Sequence, residues 1–314
     1  MSVPVSSEEI QAQRALGHLS ARQLTHTTKS VAQLPIISPR WLLQMLPWVP
    51  VEAGVYRVNQ VRNPEAIEIS DPEQAEVELA ETFVDYEPAP REYFVRNLSS
   101  SLAVNTRVAD LHRRPYDQME EQLRLVVEAL KERQERDIIT HPDYGMLASV
   151  ADAQRLSTLD GPPTPDDLDQ LITKVWKKPA FFLTHPLAVA AFGRECTRRG
   201  VPPATVSIDG VQFITWRGIP IVPSDKVPVA DGKTSFLLLR TGEKRQGVIG
   251  LYQSGVDGER GPGLSVRLMS IDRQAIATYL VSLYFSLAVM TDDALAVLDD
   301  VEIDKFHTYP FSYR

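Results

Sequence analysis

Between Asn63 and Pro90 the chain carries nine carboxylates, at Glu65, Glu68, Asp71, Glu73, Glu76, Glu78, Glu81, Asp85 and Glu87, and neither lysine nor arginine. Before this stretch Val55, Arg57, Asn59 and Val61 alternate with Tyr56, Val58 and Gln60, and after it the alternation resumes around Tyr93-Phe94-Val95. Period two is the spacing of a β-strand. Residues 51-110 therefore read as an extended two-stranded loop whose acidic tip is solvated and repels its own copies.

The segments on either side do not alternate regularly between strand and helix. Ser7 to Lys29, rich in Ala, Gln, Leu and Arg behind Ser6-Ser7-Glu8-Glu9, predicts a capped helix in an N-terminal arm, 1-50. Pro39 opens Arg40-Trp41-Leu42-Leu43-Gln44-Met45-Leu46, which packs so many large apolar groups into so few residues that it demands a partner surface. Pro115 to Thr140 predicts a long helix, with Met119, Leu123, Val126 and Leu130 at helical spacing and charges that complement the dipole. Asp166 to Lys178 predicts a second helix and Phe181-Phe182-Leu183 a buried strand. His185-Pro186 turns into a helix running to Arg199, and Val206 to Val222 holds short strands broken by Gly210 and Gly218.

Strands follow at Ser235 to Arg240, Gln246 to Gln253 and Leu264 to Met269, with Ser254 to Gly263 as an exposed, mobile loop. Ala277 to Val289 fits both periods and is left as helix or strand. An arm, one long helix and clustered strands argue for an α+β fold rather than a doubly wound parallel sheet.

With 314 residues, 43% hydrophobic and 24% charged, the chain can bury a large core. A net charge of -8 opposes binding to nucleic-acid phosphates, so no nucleic acid is expected as partner. Cys196 is the lone cysteine, which excludes an intrachain disulfide and fits a reducing, cytoplasmic setting. Met1 to Gln13 lacks the basic and apolar regions of a signal peptide. Ala275 to Met290 is interrupted by Thr278, Ser282, Tyr284 and Ser286 and is shorter than the roughly 20 residues that span a bilayer, so no membrane is expected either.

A search for chemistry finds none. No glycine-rich turn sits between a strand and a helix, and the six histidines, His18, His26, His112, His141, His185 and His307, include no pair at i, i+3 or i+4. Cys196 and His185 lie roughly 16 Å apart along one predicted helix and its cap, too far for a thiol dyad. Asp166-Asp167 suits a helix start, and Asp292-Asp293 and Asp299-Asp300 suit the solvated ends of an apolar element. No catalytic, metal or cofactor-binding residue is assigned. Two other readings stay open at this point: an enzyme with a dispersed active site, and a peripheral membrane protein using Trp41 to Trp48, though Arg40 is the one basic residue between Lys29 and Arg57.

Long stretches resemble the shell proteins of family 2 encapsulins: Pro39-Arg40-Trp41-Leu42-Leu43, the run Trp48 to Asn59, Ile172-Thr173-Lys174-Val175-Trp176-Lys177, Phe182-Leu183-Thr184-His185-Pro186, Ala191-Phe192-Gly193-Arg194-Glu195, Pro223 to Val229 and Met290 to Val301. The similarity spans about Gln23 to His307. Lacking a cyclic-nucleotide-binding insert, the chain resembles the A subgroup, and the stretches themselves separate it from phage capsid proteins of the same fold.

The resemblance implies the Hong Kong 97-type fold of phage major capsid proteins. Its parts would be the N-terminal arm, the extended loop, a peripheral domain with a long spine helix at 111-160, an axial domain at 161-272, and peripheral-domain strands with a C-terminal extension at 273-314. Ala277 to Val289 would then be a long strand. An arm that cannot bury both faces on its own subunit lies on a neighbour, and repeating that contact closes a shell. The resemblance further implies sixty copies in an icosahedral shell and a cysteine desulfurase cargo that docks inside through a disordered N-terminal extension, in sulfur metabolism or storage. Pyridoxal phosphate belongs to that cargo, the shell itself needing no cofactor. Gly255, Asp257, Glu259 and Arg260 are candidate pore-loop residues because function tends to sit on loops.

Overall fold

The computed structural model describes residues 34–62, 83–105 and 118–307. The predicted helix of Ser7 to Lys29 and most of the acidic tip lie outside the described residues.

Two sheets and their helices make up the body. The larger has seven strands in the order β5 (Arg155–Ser157), β15 (Leu295–Glu302), β10 (Lys233–Leu239), β6 (Phe181–Thr184), β9 (Ile219–Pro223), β8 (Val211–Trp216) and β7 (Ala204–Ile208). Helices α3 (Pro165–Lys174) and α4 (Pro186–Arg199) pack on it. Its central strands read as unbroken apolar runs because both faces are covered, and period two then sorts their residues between two cores. Phe182, Phe236, Leu238, Ala296 and Leu298 join Leu168, Leu171, Phe192 and Cys196 from the two helices. Their neighbours Phe181, Leu183, Leu237, Leu239, Leu295 and Val297 face the opposite way, into the core that continues under the second sheet.

That second sheet runs β1 (Trp48–Val51), β11 (Val248–Gln253), β14 (Ile276–Val289), β13 (Leu264–Ile271) and β12 (Glu259–Gly261), with β4 (Arg96–Asn105) also paired to β14. Trp48 lies flat on Gly250, where a Cβ would meet its ring at 2.6 Å, so glycine permits the β1–β11 approach. The 23-residue helix α2 (Gln118–Thr140) covers this sheet, and the short α1 (Trp41–Met45) packs beside β9, with Trp41 edge-on to Phe213 of β8. Val281, Leu283, Phe285, Leu287 and Val289 share one core with Leu130, Ile138 and Ile139 of α2 and Leu42 and Leu46 of the α1 segment. The ambiguous Ala277 to Val289 stretch is thus part of a strand, Ile276–Val289, about 46 Å long at the usual rise.

Local chemistry explains the element ends. Thr164 and Asp167 form a capping box with Pro165 at the first position of α3. Helix α3 stops at Lys174, four residues before the expected Lys178, because Lys178 precedes Pro179 and takes φ 71°. His185 caps α4 by accepting the Leu187 N–H on Nδ1, and Gly200 closes it with φ 69°. Asp209 and Gly210, both at positive φ, make the two-residue turn between β7 and β8.

Sheet membership does not follow chain order. Strands β11, β12 and β13 fall in the sheet with β14 and α2, whereas β15 sits inside the seven-stranded sheet. Strand order along a chain does not specify pairing partners, and besides the passage through α2 two short crossings, 240–247 and 290–294, exchange the chain between sheets. The continuation of the arm's second strand as the ten-residue β4 was likewise missed.

Candidate functional site

Strands β2 (Val55–Val58) and β3 (Arg91–Phe94) form a two-stranded ribbon, with Tyr56 opposite Tyr93 and an Arg57–Glu92 ion pair at 2.7 Å. The ladder continues outward through Arg62 N–H to Asp85 O and Glu87 N–H to Gln60 O, both 2.8 Å, and a Val61–Tyr86 bridge. The predicted two-stranded arm is present. Large apolar groups stand bare along it: Phe83 is 81% exposed, Tyr86 63% and Phe94 51%. An isolated two-stranded ribbon is marginal in water, and bare aromatics in a row mark a contact surface.

The base of the arm is fixed to the body. Val51, Ile249, Leu251 and Ala288 form a small core that receives Tyr56, Tyr93 and Val95. The Tyr56 hydroxyl donates to Glu243 Oε1 at 2.6 Å, and burial with that carboxylate pushes its pKa up to about 12. The Tyr93 hydroxyl donates to the Val289 carbonyl, and Arg91 pairs with Asp292 at 2.8 Å. These contacts land on the two crossings between the sheets, so the arm is seated on the neck of the subunit.

The neck is held by a buried cation. Arg240 is 2% exposed, and its Nη2 donates to Asp293 Oδ1 at 2.7 Å and Thr291 Oγ1 at 2.8 Å. Lys177 reaches the other carboxylate oxygen at 2.9 Å. The hydrogen bond from Arg240 holds Asp293 well below the usual carboxylate range. Asp292 and Asp293 are therefore not simply solvated ends; each anchors an arginine. Sequence reasoning missed this because the partner arginine lies more than fifty residues away at the end of an apolar strand.

The four residues proposed from sequence, Gly255, Asp257, Glu259 and Arg260, are all exposed and lie together where β11 passes to β13. The segment is more ordered than a plain loop. Residues 259–261 form β12 against β13, Glu259 Oε2 accepts the Gly255 N–H at 3.1 Å, and the Ser265 hydroxyl reaches the Asp257 carbonyl at 2.5 Å. At Gly258 (φ 70°) a side chain would collide with the Val266 carbonyl. This edge belongs to the sheet under α2, not to the seven-stranded sheet.

Nothing else assembles chemistry. Cys196 is buried in the core between the seven-stranded sheet and α4 and burial pushes its thiol up to about 11, while His185 is spent on its helix cap. Among the described residues no cluster of histidine, cysteine or carboxylates is placed to hold a metal, and no helix is long and apolar enough to cross a membrane.

The same architecture occurs in solved structures. The cryoEM structure of the holo-SrpI encapsulin complex from Synechococcus elongatus PCC 7942 matches with a TM-score of 0.82 at 56% identity, covering 94% of this chain and 99% of that one. The capsid of cyanophage P-SCSP1u matches with a TM-score of 0.57 at 12% identity, over 87% of this chain and 91% of that one, a likeness of fold alone. A long helix on a sheet, a second sheet and a seated two-stranded arm define a capsid-type shell subunit of the Hong Kong 97 fold.

The family is also resolved. Residues 54–305 match the type 2A encapsulin shell protein family, SrpI-like, and a type 2A encapsulin shell protein of Mycolicibacterium paratuberculosis (strain ATCC BAA-968 / K-10) is 62% identical over 298 residues, 94% of this chain and 97% of the relative. The chain belongs to this family: it is a structural shell protein that forms a capsid-like compartment, and not an enzyme.

Proposed function

We propose that the chain closes into an icosahedral shell of sixty copies in the cytoplasm, around a cysteine desulfurase cargo in sulfur metabolism or storage. The observation that carries the assembly is the seated arm: its base is fixed to the neck while Phe83, Tyr86 and Phe94 remain bare, so a neighbour must cover them. Repeating one heterologous contact around a closed symmetry gives a container rather than a filament. Residues 161-272 would supply most of the axial domain and 111-160 the peripheral spine. The family resemblance supports the cargo, which would dock through a disordered N-terminal extension and bring its own pyridoxal phosphate. Gly255, Asp257, Glu259 and Arg260 would line a pore.

Expression of the chain alone, with native mass and negative-stain imaging, tests the shell: uniform hollow particles of a sixty-copy mass are expected, and a monomer or small oligomer across salt and pH would refute it. Co-expression with a cysteine desulfurase tests the cargo. Pyridoxal phosphate absorbance should sediment with the particles and be lost when the enzyme's extension is deleted.

A further inference from the structure

Three parts of the chain meet in a buried polar joint that shell assembly does not explain. Ser38 to Leu42, where the N-terminal segment enters the body, lies against the last turns of α2 and against the loop Ser224 to Lys226 that follows β9. Ser38 N–H donates to Glu132 Oε1 at 2.8 Å, Leu42 N–H to Glu135 Oε1 at 3.3 Å, and Arg40 pairs with Glu128. From the loop, Lys226 reaches Glu132 at 2.9 Å, Asp225 at 2.5 Å and the Ser38 hydroxyl at 3.2 Å, and the Ser224 hydroxyl faces Glu135 Oε1 at 3.4 Å. Four carboxylates, Glu128, Glu132, Glu135 and Asp225, thus gather around two cations, Arg40 and Lys226, which contact all of them but Glu135. The other charged groups in view do not redress this. Arg124, near Glu128, is paired with Glu121, and His185, near Asp225, is held toward its neutral form by burial.

Glu135 is the member left short. It is 1% exposed, and among the described residues no cation contacts it and its Oε2 has no hydrogen-bond partner. A buried carboxylate in that position is expensive as an anion and much cheaper as the acid.

We infer that Glu135 holds a proton in the closed joint, and that its ionisation loosens the grip of α2 on Ser38 to Leu42, making the exit of the N-terminal segment sensitive to pH. Glu135 Oε1 then accepts from Leu42 and Ser224 while Oε2 carries the proton. Burial, reinforced by Glu132 and Asp225 against the pull of the Leu42 N–H and Lys226, places this carboxyl at about 7 rather than 4.5. The raised value means that the closed joint binds the proton more tightly than the open one. Its stabilisation is complete below pH 4.5 and is lost as the pH rises through about 7. Between about pH 6 and about pH 8 the opening equilibrium should rise about tenfold.

The test uses the assembled full-length chain. Hydrogen–deuterium exchange of peptides covering Ser38 to Leu46, corrected for intrinsic chemistry, should show about tenfold more opening at the higher of these pH values. Glu135→Gln, which keeps the shape of the neutral acid, should bring that ratio near one, while Glu121→Gln leaves it unchanged. An unaltered ratio in Glu135→Gln overturns the inference. Should that variant not assemble, difference infrared spectroscopy of the unmodified shell decides: a protonated-carboxyl band must vanish across the same interval, and no such change also overturns it.

Discussion

The seven-stranded sheet and the arm solve opposite problems with the same strand chemistry. In the sheet, Phe182 and Phe236 point to one core and Leu183 and Leu237 to the other, so the large groups of its central strands find their cover within the subunit. In the arm, Phe83, Tyr86 and Phe94 find none, and only the base is satisfied. The sheet is finished by folding and the arm by assembly. Substitutions in the first should register as lost stability, and substitutions in the second as lost particles from subunits that still fold.

The largest effect on folding should come from Phe182→Ala, which empties a fully buried site between the sheet and α4 and should cost about 3–5 kcal/mol in denaturant unfolding. Asp293→Ala should follow at about 2–3 kcal/mol, because it strands Arg240 inside the neck. If Arg240→Met combined with Asp293→Ala is no better than Asp293→Ala alone, the cost does not come from the stranded charge. Tyr56→Phe should cost only about 1 kcal/mol in melting, yet free the arm base to take several angles, visible as a broadened particle-size distribution. Phe83→Ser with Tyr86→Ser should move subunit stability by no more than about 0.5 kcal/mol while abolishing closed particles on sizing columns. Intact particles from that double variant would erase the contrast between sheet and arm.

What the residues disclosed beforehand follows the same division. Helix α2, the existence of α3, the His185-Pro186 entry to α4 and short strands between Val206 and Val222 were legible because period and turn residues are local. Strand β14 was ambiguous because a strand covered on both faces loses its alternation, and only its pairing with β4 and β13 resolves it. The arm itself was legible from alternation and charge, but its seating was not. Tyr56–Glu243, Arg91–Asp292 and Arg240–Asp293 join positions that no local rule connects, as does the meeting of Ser38, Glu132 and Lys226. The loop after β11 looked mobile because it is rich in glycine, yet at Gly258 that glycine serves a tight approach to β13.

Strand β3 passes through the single residue Val95 into β4, and β4 lies along β14 over ten consecutive partners from Arg96–Phe285 to Asn105–Ile276. A tug on the arm is therefore delivered lengthwise to β4, across hydrogen bonds that stand perpendicular to the pull. Those bonds share the load and must slide together, whereas a hairpin peeled from its end would give way one rung at a time. The link most exposed to a neighbour's tension is thus tied into the longest strand among the described residues, as a tendon is set along a bone.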